Sequence, residues 1–159
     1  MFDNELYADA SVAFLRAGRH REVGICEAYH LQQEAQLIST SAGKVRAQAF
    51  VAAAKALSAC AQDAPSDQDD ECHILFTAAG ECYSKAGDSK RAGDTHLKAE
   101  GYDEAARAYR EGKHIEEVVE VITQHKNALN SSLYEELMMD ARMHYFKVHI
   151  GCLLVSQYF

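Results

Sequence analysis

Apolar side chains recur along this chain every three or four positions, in runs broken by short polar turns. That spacing puts the apolar residues of each run on one face of an α-helix. Leu6, Ala10, Ala13, Phe14 and Ala17 predict a first helix over Asp3–Ala17, closed by Gly18. A second helix is predicted from His20 to about Ile38, and "STSAGK" breaks the pattern after it. Lys44–Ala61 reads as an alanine-rich helix with Val45, Ala49, Ala52 or Ala53, Ala56 and Cys60 as its apolar stripe. Small residues there let two helices approach closely. "QDAPSDQDDE", Gln62–Glu71, holds the only proline and five acids without a base, and it reads as an acidic loop, the expected most mobile segment. The next helix is predicted over about Asp70–Ala86, with Leu75, Ala78, Ala79, Cys82 and Tyr83 facing inward and Gly87 ending it.

Beyond Gly87 the predicted helices are short: Asp88–Ala99, Tyr102–Glu111 and Ile115–His125. A last helix runs from Leu133 to about Phe146, with Ser131 or Ser132 as its cap. Aligned on their glycines, "RAGRHREV" (16–23), "KAGDSKRA" (85–92), "KAEGYDEAA" (98–106) and "YREGKHIEEV" (109–118) share one grammar. A helix ends at a glycine, two or three polar residues turn the chain, and the next helix begins with an inward Ala or Val. In this reading Gly87 and Gly101 both close helices with positive φ. Helices this short are marginal alone and persist by packing on their neighbours, as in stacked helical-hairpin repeats. Leu75, Cys82, Leu97, Ala105, Tyr109, Val118, Ile122, Leu137 and Ala141 are the predicted core. The fold class expected is therefore all-α, seven or eight antiparallel helices over residues 1–146. Residues 147–159, "KVHIGCLLVSQYF", form an apolar tail outside the pattern. The tail is either a lid docked on the last helix or the product of a misread gene end, with the native chain continuing into further repeats.

Composition narrows the function. A formal net charge of −8 disfavours direct nucleic-acid binding and adsorption to an anionic membrane. No apolar run is long enough to span a bilayer. Five cysteines at irregular spacing read as small apolar residues of a reducing compartment, which places the protein in the cytoplasm or nucleus. Cys60, Cys72, His73, Cys82 and His96 lack the paired spacing of a zinc site, so no metal and no cofactor is expected. His114 and His125 fall on one predicted helix, but no nucleophile elbow accompanies them, and no G-x-x-x-x-G-K-[ST] loop occurs. The pairs Glu116–Glu117 and Glu135–Glu136 sit in first turns, where the helix dipole favours negative charge. No catalytic residue is assigned. Tyr83, Tyr102 and Tyr109 either wedge between helices as core or line a groove that recognises a peptide.

The glycine grammar resembles a degenerate tetratricopeptide-like α-solenoid over roughly residues 5–146. Gly18 and Gly87 lie 69 residues apart, close to twice that family's thirty-four-residue period. The family's tryptophan and its terminal prolines are missing. "HREVGICEAYHLQQEA", the acidic spacer and the segment from Ala78 to Ile122 also resemble the helical region of large fungal UvrD-like helicases, which are similar to animal tetratricopeptide- and ankyrin-repeat-containing proteins. The first resemblance implies a non-enzymatic module that binds a protein or peptide partner. The second implies a helical accessory segment of a larger helicase-type protein, whose ATPase motor this chain lacks.

Overall fold

A computed structural model describes the backbone of residues 3–65 and 69–158, and the side chains of residues 6–65 and 69–148. Among them are eight α-helices and no strand: α1 Asp3–Arg16, α2 His20–Leu37, α3 Gly43–Gln62, α4 Asp69–Lys85, α5 Ser89–Lys98, α6 Tyr102–Glu111, α7 Ile115–Gln124 and α8 Ser131–Tyr158. A single 3-10 turn, Thr40–Ala42, leads into α3, with the Ser39 hydroxyl accepting from the Ser41 N–H. Each helix packs on its neighbours in the chain.

The all-helical expectation is met, and several details move. The acidic stretch is only in part a loop, because Asp69, Asp70 and Glu71 form the first turn of α4. Three acids there face the positive end of the helix dipole. Residues 66–68, the centre of the segment expected to be most mobile, lie outside the described residues. Asn130, rather than Ser131 or Ser132, caps α8, its side chain accepting from the Ser132 N–H at 3.0 Å. α8 runs through the 146/147 boundary without a break. The lid reading of the tail rests on the side chains of residues 149–159, which lie outside the described residues.

Leu75, Cys82, Ala105, Tyr109, Val118, Ile122, Leu137 and Ala141 are buried, and Leu97 is half-buried against the cluster that holds Ala105, Tyr109, Val118, Ile122 and Leu137. The outer helices fit the predicted faces less well. Leu6, Ala13 and Ala17 are exposed, because α1 packs chiefly on α2 and among the described side chains hides only Tyr7, Ala10, Ser11 and Phe14 in part. In α3 the buried stripe is Phe50, Ala53, Ala54, Leu57 and Ala61, while Val45 is exposed.

The C-terminal half repeats in thirteens. Helices α5, α6 and α7 are each 10 residues long, and their starts at 89, 102 and 115 are thirteen residues apart. The left-handed residue of each intervening turn keeps the same step: Gly87 (φ +78°), Glu100 (+53°) and Lys113 (+61°). The residues after them, Asp88, Gly101 and His114, share one conformation near φ −85°, ψ +72°. Their N–H groups reach back five residues to Tyr83, His96 and Tyr109 carbonyls, the signature of a Schellman turn. Gly18 and Arg19 make the same turn between α1 and α2. The expectation of a positive φ therefore holds at Gly87 and fails at Gly101, where φ is −82°. Gly101 stands one place beyond the left-handed residue, which is Glu100.

The thirteen-residue step also fixes the core. Ala79, Ala92, Ala105 and Val118 occupy one buried position, and Tyr83, His96, Tyr109 and Ile122 another. The rings of the second row need room, which the preceding helix supplies by omitting side chains. A Cβ at Gly80 would lie 2.6 Å from the His96 ring, and one at Gly93 would fall inside the Tyr109 ring's contact distance. Ring-over-glycine packing joins α4 to α5 and α5 to α6.

Alternate helices start at the same level. Arg21 of α2 meets Glu71 of α4 at 2.6 Å, and Lys90 of α5 meets Glu117 of α7 at 2.8 Å. The Asn130 N–H, just before α8, donates to Asp103 in the first turn of α6 at 2.9 Å. Consecutive helices run oppositely, since Gly112 after α6 sits on Ser89 at the start of α5.

Candidate interaction surface

The three tyrosines named from the sequence do not share a face. Tyr83 is buried in the larger core cluster, with α2, α3 and α4. Tyr109 is 2% exposed, and its hydroxyl donates to Asp94 Oδ1 at 2.6 Å. Tyr102 is half-buried and stacks on His125, ring centroids 4.0 Å apart. The wedge reading describes Tyr83 and Tyr109. Tyr109 also forms the floor of a small recess of about 170 Å³ between α5 and α7.

Lys90 lies across that recess. Its ammonium is 2.8 Å from Glu117, 3.5 Å from Asp94 and 5.6 Å from the Tyr109 ring centre. The hydrogen bond from Lys90 lowers the Glu117 carboxyl below its ordinary value, and the same bond raises Lys90. Burial pushes the Tyr109 hydroxyl up, and the bond to Asp94 adds to it. Every charge in the group has a partner, so it reads as a clamp that pins α5 to α7. The second acid pair, Glu135–Glu136, falls outside the first turn because α8 already begins at Ser131; Glu136 instead meets Arg110 at 2.8 Å, beside Asp140 at 2.6 Å.

The remaining chemistry is dispersed. His114 and His125 stand at opposite ends of α7, and His20 is exposed at the start of α2. Cys82 is fully buried, and burial pushes its thiol up to about 11, far from the thiolate a nucleophile or metal ligand needs. Cys72 is half-buried and donates to the Ala61 carbonyl at 3.5 Å. Among the described residues no three His, Cys, Asp or Glu side chains are grouped to hold a metal ion.

A more apolar recess lies elsewhere, in a place the sequence did not single out. Between α1 and α2 a groove of about 480 Å³ is lined by Tyr7, Ala8 and Ser11 on one side and by Cys26, Glu27, His30 and Leu31 on the other. Tyr7, which lines the groove, stacks on Tyr29 at 5.8 Å and so ties α1 to α2. Leu6, Val12, Leu15 and Leu31 are exposed on the same pair of helices. The signal available in the sequence was the surplus of apolar residues on α1, more than one neighbouring helix can cover. Among the described residues no helix is long and apolar enough to cross a membrane. Comparison with protein-family models, curated proteins and solved structures found no match to this chain.

Proposed function

We propose that the chain is a tetratricopeptide-like α-solenoid that works as a non-enzymatic protein-interaction or scaffold module. The observation that carries this reading is the apolar α1–α2 groove at one end of the row of packed helices. A groove between helices with an apolar floor and polar rim suits the apolar face of a helical or extended peptide. The antiparallel packing of each helix on the next supports the solenoid. The likeness lies in the stacking and not in the repeat length, since the units of the C-terminal half are thirteen residues and not half of thirty-four. The net charge of −8 favours a protein partner over a nucleic acid.

A photo-crosslinking residue placed at Ala8 or Leu31, on the groove, should trap one and the same partner polypeptide in native extract. Placed at Glu104 or Arg107, exposed on α6, it should not trap that polypeptide. Equal trapping at all four positions, or none at the groove, would contradict the assignment.

A further inference from the structure

The row Tyr83, His96, Tyr109, Ile122 contains one side chain that titrates near neutrality. His96 is 4% exposed, its ring lies flat against the place where Gly80 has no side chain, and its Nδ1 is buried without a hydrogen-bond partner among the described residues. Tyr109, thirteen residues on, makes the same contact over Gly93 with its polar atom satisfied by Asp94. We propose that His96 is an acid trigger built into the stack: as neutral imidazole it closes α4 on α5, and on taking a proton it drives them apart.

The physical reason is the site's shape. A protonated imidazole carries two N–H donors and a charge, and buried groups of that kind need partners or water. The Gly80 surface offers no partner to the Nδ1 buried beside it. The ionisable groups facing His96 are Glu81 from α4 and Glu104 from α6. Both are exposed and favour the charged ring, but burial outweighs them and holds the histidine below its ordinary 6.5. The folded protein therefore binds this proton more weakly than the unfolded chain does. Above about pH 6.5 both states are neutral at this position and nothing is lost. As the pH falls below that value, the unfolded chain gains a proton the folded one refuses, and the stack weakens until the folded value is passed.

The variant that removes the trigger while keeping the packing is His96→Tyr. It installs the ring that position 109 already uses over a glycine, and Glu81 stands thirteen residues before Asp94, where the new hydroxyl finds its acceptor. Denaturant unfolding of the full chain is measured from about pH 7.5 to about pH 5. The wild-type folded-to-unfolded ratio should fall by up to about tenfold per pH unit below 6.5 relative to the variant. Amide exchange in α4 and α5 should accelerate over the same range more than in α7. An NMR titration of the His96 ring in the folded wild type should give a midpoint below 6.5, and it decides the matter alone if the variant fails to fold. A midpoint at or above 6.5, or the same pH slope in both proteins, would overturn the proposal.

Discussion

Phe50→Ala is expected to destabilise the protein by about 3–5 kcal/mol, among the largest losses available to a single substitution in this chain. Phe50 is fully buried in the middle of α3, within a cluster where eight of the thirteen buried members are alanines. Alanine lets α2, α3 and α4 approach closely, so backbone lies near backbone and little can move in to fill a phenyl-sized hole. The cost is the lost transfer energy together with the cavity that stays open. Arg46 and Lys85 place their charges 5.4 and 5.8 Å from the ring centre and would lose that contact as well. Denaturant unfolding followed by circular dichroism measures the loss. A cost under about 1 kcal/mol would mean that α3 does not stand at the centre of the larger core.

Gly93→Ala is expected to reverse the ordinary sign. In a free helix the change stabilises by about 1 kcal/mol, yet here it should cost about 1–3 kcal/mol net. The new methyl lands on the Tyr109 ring. That ring cannot step aside: its hydroxyl is tied to Asp94, Lys90 lies over it, and His114 stands edge-on at 6.4 Å. Gly43→Ala is the control, since a Cβ there meets nothing within 4 Å and the residue begins α3 in helical conformation. It should be neutral or stabilising. Combining Gly93→Ala with Tyr109→Ala should cancel much of the clash, so that the glycine change becomes favourable once the ring is gone. Additive losses in that double-mutant cycle would show that the two residues do not share the contact.

Much of the helical order was legible because helix period and turn residues are local signals. α6 begins and ends where Tyr102 and Glu111 placed it, and the core positions from Leu75 to Ala141 follow from the same periodicity. What escaped was the phase of the turns. "AEGY" and "KAGD" look alike on the page, but in one the glycine takes the left-handed place and in the other it follows a glutamate that does. Aligning glycines therefore hid the thirteen-residue step, which the core rows Ala79–Ala92–Ala105 and Tyr83–His96–Tyr109 keep. Pairings such as Gly80 with His96 were beyond reach, because they depend on which helices meet and at what height. The groove was missed for a related reason. The tyrosines drew attention by their recurrence, yet recurrence in a stacked fold marks the shared core, and two of the three are buried there. The open surface lies on α1 and α2, where the pattern is least regular.

The phase of the repeat can be read from one exposed residue. Glu100 sits at φ +53°, a region in which a side chain costs roughly 1–2 kcal/mol and glycine is nearly free. If residues 87, 100 and 113 are the left-handed points of successive units, Glu100→Gly should stabilise the protein by about 0.5–1 kcal/mol in denaturant unfolding, less than the full relief because glycine also loosens the unfolded chain. If the units instead close at Gly101, position 100 is ordinary helix, and the same substitution should destabilise by about 1 kcal/mol.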